Sequence, residues 1–313
     1  MTRYLVTGGA GFIGSNIARQ LLKDGHEVTV LDNFSTGHRR NIESLPGEVK
    51  LVEGDLRSVD DIKRAIEGVQ YVIHQAALPS VARSVRDPFP TEQVNATGTL
   101  RLLWEAHAAG VKRVVQASSS SVYGESPTLP KVETMATAPM SPYAVSKLTA
   151  EVYGQCFTRT YGLEVVSLRY FNVFGPWQDP NGEYAAVIPK FIALMLEGKA
   201  PTIFGDGLQS RDFSYIDNVV QANIKACTAP DAPGKTFNIA CGERTDLLQL
   251  VEVLNQILGT NLTANHAPER AGDIKHSLAD IDQAREILGY DAKVDFAQGI
   301  RKTVEWYKDN VAG

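Results

Sequence analysis

Short apolar runs alternate with longer amphipathic stretches through the first half of the chain. The runs hold Val, Ile and Leu at successive positions, which is typical of strands that helices cover on both faces. This alternation predicts a doubly wound α/β fold with a parallel sheet, which binds ligands at the carboxyl ends of its strands. The predicted strands are Tyr4–Thr7, Glu27–Leu31, Val49–Glu53, Tyr71–His74, Arg113–Ala117 and Glu164–Arg169. The predicted helices between them are Gly14–Lys23, Ser58–Ile66, Thr91–Ala109 and Pro142–Thr160.

The pattern changes after Arg169, where a loop over residues 175–183 leads to shorter and more varied signals. We predict a first domain over residues 1–174 and a smaller C-terminal α/β lobe over residues 175–313, with a segment near 214–245 that returns to the sheet. The elements predicted after the loop are a helix at Ile188–Leu196, strands at Thr202–Phe204 and Phe237–Ala240, and a helix at Leu247–Leu258.

Composition narrows the classes of function. The 313 residues are 43% hydrophobic and 21% charged, as in ordinary globular proteins, and the net charge of -5 argues against nucleic-acid binding. No stretch approaches the ~20 apolar residues of a membrane span, and the start has no signal-peptide pattern. Three cysteines without zinc-site or disulfide spacing suggest free thiols. We therefore expect a cytoplasmic protein with no metal, no nucleic-acid partner and no membrane contact.

A glycine-rich turn joins the first predicted strand to the first helix. The segment TGGAGFIG, residues 7–14, satisfies both GxGxxG and GxxGxxG. Glycines permit a tight turn and a close approach of the backbone to a pyrophosphate, which the amino end of the helix then binds. This context predicts a Rossmann dinucleotide site in the first domain.

Asp32 ends the second predicted strand, 18 residues after Gly14. An acid there accepts hydrogen bonds from ribose hydroxyls and repels a 2′-phosphate, which favours NAD over NADP. Arg39 and Arg40 follow closely and leave NADP open. The residues predicted to bind the cofactor are Gly8, Gly11, Phe12, Ile13, Gly14, Asp32, Asn33, Asp55, Leu56, Ala76, Ala77, Asn95, Tyr143, Lys147 and Tyr170.

The candidate chemistry lies in Tyr143 and Lys147, which are four residues apart and therefore share one face of a helix. An ammonium group near a phenol lowers the phenol's pKa, and a positive nicotinamide adds to this effect, so Tyr143 is a candidate base near neutral pH. Four serines, Ser118 to Ser121, end the fifth predicted strand. Their hydroxyls are candidates for orienting a substrate hydroxyl.

With these motifs in order, the chain resembles extended short-chain dehydrogenases/reductases of the nucleotide-sugar epimerase/dehydratase family. The resemblance runs from residues 6–14 through Ser141-Pro142-Tyr143 to the C-terminal lobe. It implies a bound NAD, a UDP-sugar in that lobe, and Ser119, Tyr143 and Lys147 as catalytic residues. It also implies a homodimer formed through the helices Thr91–Ala109 and Pro142–Thr160.

The serine run separates the members of this family. Its 4,6-dehydratases carry Thr-Asp-Glu where this chain has Ser119-Ser120-Ser121, and its UDP-glucuronate decarboxylases usually carry Glu at the position of Ser121. Epimerases typically have plain Ser or Thr there. The chain is therefore most similar to UDP-hexose 4-epimerases.

The resemblance also suggests how substrate is bound. It assigns Asn172, Arg211 and Arg270 to the diphosphate and Asp273 to the uridine ribose. Ser277 stands where epimerases restricted to UDP-glucose and UDP-galactose commonly have Tyr, so it leaves room for an N-acetyl group. We expect UDP-GlcNAc/UDP-GalNAc and UDP-Glc/UDP-Gal as substrates. The full predicted set is Ser80, Ser119, Ser120, Tyr143, Asn172, Val187, Lys190, Phe204, Arg211, Arg270, Asp273 and Ser277.

Two alternatives stay open. The first is a UDP-glucuronate 4-epimerase or decarboxylase, for which a loop with Pro79, Ser80 and Arg83 offers partners for a C5 carboxylate. The second is an NAD-sensing regulator with the same fold. Such regulators often lose the catalytic Tyr, whereas this chain keeps Tyr143 and Lys147.

Overall fold

The computed structural model describes residues 1–181, 186–269 and 275–310. Its strands are β1 (Arg3–Thr7), β2 (Glu27–Asp32), β3 (Lys50–Glu53), β4 (Tyr71–His74), β5 (Arg113–Ser119), β6 (Glu164–Tyr170), β7 (Val173–Phe174), β8 (Thr202–Phe204), β9 (Ser210–Arg211), β10 (Ser214–Tyr215), β11 (Thr236–Ile239), β12 (Thr245–Asp246) and β13 (Asn265–Ala267). Its α-helices are α1 (Phe12–Lys23), α2 (Arg39–Glu43), α3 (Val59–Ile66), α4 (Val81–Arg86), α5 (Pro88–Glu92), α6 (Gly98–Ala108), α7 (Pro142–Tyr161), α8 (Val187–Leu196), α9 (Ile216–Ala226), α10 (Leu247–Leu258), α11 (Asp282–Leu288) and α12 (Phe296–Asn310).

Seven strands form one parallel sheet in the order β3–β2–β1–β4–β5–β6–β11. The chain builds outward from β1 in one direction and from β4 in the other, so the strand order reverses between these two. This confirms the predicted doubly wound Rossmann fold. The seventh strand, β11, comes from the segment that was expected to return to the sheet. A crevice at the carboxyl ends of β1 and β4 is the usual ligand site in such a sheet.

Two apolar layers cover the sheet because side chains alternate along each buried strand. In β1, Tyr4 and Val6 belong to one buried cluster and Leu5 to the other. The first cluster continues as far as Tyr307 of α12, so residues on both sides of the predicted boundary at 174/175 share a core. The boundary itself stays a prediction. None of the helices in the described ranges has the length and apolar character that crossing a bilayer requires.

The predicted helix Thr91–Ala109 is corrected to three segments. Helix α5 begins earlier, at Pro88, because proline favours the first turn and the Asp87 side chain caps it. A π-helical turn over Gln93–Thr97 then leads into α6. Within this turn Asn95 holds the backbone of Leu78, accepting from its N–H at 2.8 Å.

The predicted loop around Pro79, Ser80 and Arg83 is also corrected. Ser80 caps the start of α4, where its hydroxyl accepts from the Arg83 N–H at 3.0 Å. A serine three residues before a donor is a helix-start signal, and here it is followed by only six helical residues. The residues involved therefore begin a short helix at the edge of the crevice.

Candidate active site

A cavity of about 660 Å³ lies at the carboxyl ends of the strands, where β1 and β4 are neighbours. It contains most of the residues predicted from the sequence. The predicted cofactor residues that line it are Gly8, Gly11, Phe12, Ile13, Gly14, Asp32, Asn33, Asp55, Leu56, Ala76, Ala77, Tyr143, Lys147 and Tyr170. The predicted substrate residues that line it are Ser80, Ser119, Ser120, Tyr143 and Asn172.

The glycine turn forms a cradle that side chains would fill. Gly8 has φ +70°, and a Cβ there would lie 2.6 Å from the backbone nitrogen of Ala76. A Cβ on Gly14 would overlap the carbonyl oxygen of Gly8. Gly11 is the N-cap of α1. Among the described residues, no side chain forms a capping hydrogen bond with the first amides of this helix. The first amides of α1 are therefore available to an anion such as a pyrophosphate, which fits NAD.

Asp32 ends β2 beside this turn. Its carboxylate accepts from the N–H groups of Ala10 at 2.9 Å and Phe34 at 2.8 Å. Burial raises the pKa of Asp32, and these two hydrogen bonds oppose that rise. The carboxylate is thus fixed at one end of the cavity, beside the glycine turn.

Arg39 was one of the two residues that kept NADP possible as a cofactor in the sequence analysis, and in the structure its side chain is held by Glu53 and Phe34. Its guanidinium donates to Glu53 at 2.6 Å and lies 4.3 Å from the centre of the Phe34 ring. Asp55 is likewise engaged, since Arg57 binds it at 2.7 and 2.9 Å and holds the pKa of its carboxyl well below the usual range. Asn33 donates to Asp55 at 2.7 Å. These contacts order the same end of the cavity.

Helix α7 brings the candidate base to the other end. Ser141 caps it by accepting from the Ala144 N–H at 3.1 Å, and Pro142 occupies its first turn. Tyr143 and Lys147 follow on one face and both line the cavity. The Lys147 ammonium donates to the Ala117 carbonyl at the end of β5, at 3.0 Å.

The electrostatics differ from the sequence expectation. Burial raises the pKa of Tyr143, and a hydrogen bond with Ser119 opposes the rise. Burial also lowers the pKa of Lys147 to about 8, although the Glu151 carboxylate opposes this. The expected lowering of the phenol's pKa by Lys147 is not seen here, where the cost of burying a phenolate dominates. A further positive charge beside the phenol is needed before it ionises near neutral pH.

Several predicted residues lie away from the cavity. Asn95 is buried, and its side chain bonds to the backbone of Leu78 and to the Ser146 hydroxyl. Arg211 donates to the carbonyls of Ser210 and Lys275, both at 3.1 Å. Among the predicted substrate residues that the structure describes, four more do not line the cavity: Val187, Lys190, Phe204 and Ser277. Arg270 and Asp273 lie outside the described residues.

The cavity also contains residues that the sequence reasoning did not select. Gln75 follows β4 and donates to the Tyr170 hydroxyl at 3.0 Å and to Asn223 at 3.1 Å. Its place directly after a strand at the reversal of strand order was the available signal. Gln178 and Asp179, from the predicted loop, line the cavity as well. Nothing in their local pattern distinguishes them from other loop residues.

The segment 175–181 is held in place by side chains of α1, of α12 and of His38, which precedes α2. Trp177 packs between the Arg19 guanidinium, 4.6 Å from one of its rings, and Trp306, at 5.1 Å between ring centroids. Two polar contacts add to this: the Asn16 amide donates to the Pro176 carbonyl, and His38 pairs with Asp179, both at 3.1 Å. Through Gln178 and Asp179 the segment forms part of the cavity wall.

A doubly wound sheet with a glycine cradle and a Tyr–Lys helix at its reversal point defines a nicotinamide-dependent enzyme. The chain belongs to the NAD dependent epimerase/dehydratase family, whose model matches residues 4–240. The resemblance seen in the sequence is thereby confirmed, and the chain is an NAD-dependent epimerase.

Individual relatives agree with this over almost their whole length. A UDP-glucose 4-epimerase of Mycolicibacterium smegmatis is 40% identical over 311 residues, covering 98% of this chain and 99% of the relative. A UDP-glucuronate 4-epimerase of Thermodesulfobacterium geofontis is 34% identical, covering 99% and 98%. The solved UDP-N-acetylglucosamine 4-epimerase of Methanobrevibacter ruminantium M1, in complex with UDP-N-acetylmuramic acid, has a TM-score of 0.94 and 40% identity, with 99% of both chains covered.

The glycine cradle generates a first prediction. Gly14→Ala places a methyl group against the Gly8 carbonyl, so the turn must shift at a cost of about 1–3 kcal/mol. We expect less NAD in the purified protein and a lower thermal midpoint. The matched control is Gly47→Ala, whose new Cβ would meet only Leu22 at 3.7 Å. A Gly14→Ala protein that keeps wild-type NAD content would contradict this account of the cradle.

Proposed function

We propose that this enzyme is a UDP-hexose 4-epimerase that interconverts UDP-GlcNAc with UDP-GalNAc and also UDP-Glc with UDP-Gal. The observation that carries the proposal is the assembly of Ser119, Tyr143 and Lys147 in the same cavity as the dinucleotide cradle. Ser120 and Ser121 line this cavity where dehydratases carry acids, which favours a reaction that needs only a base and a redox partner. The relatives named above support the class of reaction.

In this reaction NAD supplies the oxidation and the re-reduction of the sugar at C4. Tyr143, as phenolate, accepts the proton of the sugar O4 and returns it after the ring has turned over. Ser119 orients the sugar hydroxyl, and Lys147 stabilises the phenolate. This rotation of the sugar requires that the UDP moiety stays bound while the sugar is free to rotate about the diphosphate.

We assign the anchoring of UDP to Asn172, Arg211 and Arg270, with Asp273 at the ribose. The support for Asn172 is its position in the cavity wall, where its amide donates to the Asp212 carbonyl at 3.1 Å. The remaining proposed contacts come from Ser80, Val187, Lys190 and Phe204. Two arginines suit a diphosphate because each guanidinium can bind bidentately.

The base assignment is tested by Tyr143→Phe. This change removes the group that exchanges the O4 proton, so turnover should fall by about 10²–10⁴-fold. Bound NAD and UDP-sugar affinity should remain, as measured by cofactor content and by calorimetric titration with substrate. Retention of wild-type turnover in this variant would remove Tyr143 from the reaction.

The acceptance of N-acetylated sugars rests on Ser277. Its small side chain stands at a position that a tyrosine commonly fills in the restricted epimerases. Its backbone N–H donates to the Ser210 carbonyl at 3.0 Å, which ties the segment to β9. The hydroxyl oxygen is buried and has no hydrogen-bond partner among the described residues.

Ser277→Tyr should therefore act on one substrate more than on another. We expect turnover of UDP-GlcNAc to fall roughly tenfold or more relative to UDP-Glc, because the new ring occupies the space of the acetamido group. The ratio of the two kcat/KM values is the measurement, and Ser277→Ala serves as the control that adds no bulk. Equal losses on both substrates would mean that other residues set the size limit.

A second candidate is a UDP-glucuronate 4-epimerase, which one observation favours. Arg83 lines the cavity, and its guanidinium is a suitable partner for a carboxylate at C5. The relative from Thermodesulfobacterium geofontis acts in that class. Incubating the protein with UDP-GlcNAc, UDP-Glc and UDP-glucuronate separately, without added NAD, and following the sugars by NMR would separate the candidates.

We also propose a homodimer in which α6 and α7 pack against their copies. Large apolar side chains on these helices are exposed, including Trp104 at 51% and Val152 at 56%. Trp104 and Tyr161, one from each helix, lie edge to face at 5.8 Å. Together they form an apolar surface that a second copy would bury.

Val152→Glu tests this surface. A charge on the buried face of a dimer is costly, so sedimentation should show a monomer or a much weaker dimer, with the secondary structure retained. Leu208→Glu is the matched control, because Leu208 is equally exposed and lies outside both helices. A Val152→Glu protein that sediments as the wild type does would exclude this face.

A further inference from the structure

Helix α7 carries a third ionisable residue on the same face as Tyr143 and Lys147. Glu151 follows Lys147 by four residues, so the three side chains succeed one another along the helix at intervals of about one turn. Glu151 is only 1% exposed, although glutamate is rarely buried without a specific partner. The proposed chemistry uses the first two residues and leaves the third without a role.

The Glu151 carboxylate is held from the neighbouring strands. Arg169 of β6 binds it through two nearly parallel hydrogen bonds, at 2.9 and 2.7 Å, and Arg169 is itself 5% exposed. The Ser118 hydroxyl at the end of β5 donates to the same carboxylate. The Arg169 guanidinium lies 4.7 Å from the centre of the Tyr123 ring. The carboxylate is thus fixed in position by residues from two strands.

The charges around this face do not balance without Glu151. Lys147 and Arg169 are both buried cations, and a buried charge is costly unless an opposite charge compensates it. His74 also faces Lys147, but its two ring nitrogens bond to Thr7 at 2.7 Å and Thr99 at 2.9 Å. Burial lowers the pKa of His74 to about 3, so it stays neutral. Among the described groups that face Lys147, Glu151 is the anion.

We propose that Glu151 is a positioning residue that keeps Lys147 protonated, so that the ammonium can stabilise the Tyr143 phenolate during turnover. The inference rests on the proposed function, since it assigns no substrate contact to Glu151. Its physical basis is that Arg169 does not lose its proton in proteins. If the anion were removed, the excess positive charge would be relieved by loss of the proton from Lys147. The Lys147 pKa, already lowered to about 8 by burial, would then fall further.

The experiment compares pH profiles of kcat for the wild type, Glu151→Gln and Glu151→Asp. Activity should be lost on the alkaline side as Lys147 deprotonates. In Glu151→Gln this limb should move to lower pH by about 1 unit, so kcat should fall about twofold at pH 7 and roughly tenfold at pH 9 and above. KM should change little. Glu151→Asp keeps the charge at a greater distance, so its limb should move less and in the same direction.

The matched control is Glu164→Gln. Glu164 also pairs with a buried arginine, Arg113, at 2.7 Å, but at the opposite end of β6 and with its own side chain half exposed. Its loss should leave the pH profile unchanged. If Glu151→Gln does not fold, Glu151→Asp decides the question. An alkaline limb that stays at the wild-type pH in the folded variants, whatever the loss in kcat, would overturn the proposal. A wild-type protein that epimerises no UDP-sugar would instead overturn the proposed function.

Discussion

The close approach of backbone segments around Gly8 is the constraint on which the rest of the site depends. Gly8 follows β1 and lies against the backbone that follows β4, and Gly14 brings the first turn of α1 against Gly8 itself. A side chain at either position would push β1 from β4 or α1 from both. The two glycines therefore determine where α1 begins and direct its free amides at the cavity. Asp32 ties β2 to the same turn through the Ala10 N–H.

Burial at the other end of the cavity creates an electrostatic conflict. An apolar surrounding favours a neutral phenol and a neutral amine, whereas a base and its stabilising partner must both be charged. The same apolar surrounding strengthens the interactions between any charges that remain in it, because a low dielectric constant screens them less. One anion such as Glu151 is therefore enough to change the balance for Lys147. The conflict is resolved by placing fixed charges near the pair, without exposing it to water.

The sequence predicted the parts of the structure that depend on local patterns. Strand β4 has the predicted bounds, and the Tyr143/Lys147 pair and the glycine turn line one cavity at the carboxyl ends of the strands. Each of these is a short motif whose residues are close in the sequence. The helix predicted at Thr91 was wrong because Pro88 and a capping Asp87 start it earlier. Glu151 was missed because a glutamate on a helix face normally indicates solvent exposure. Its burial is set by Arg169, which reaches the helix from a separate strand.

The same distinction divides the chemistry from the choice of substrate. Oxidation at C4 needs a base, an orienting hydroxyl and the cofactor, and these groups lie on β5, α7 and the glycine turn. Elimination of water would also need an acid and a base at the carbons beyond C4. Ser120 and Ser121 stand where dehydratases of the family carry Asp and Glu, and a neutral hydroxyl is a poor acid and a poor base near neutral pH. In the proposed reaction, a ketone formed at C4 of the sugar can therefore only be reduced again. The face on which the ketone is reduced decides the product. In the proposed reaction the serines favour epimerisation because they cannot catalyse the elimination of water.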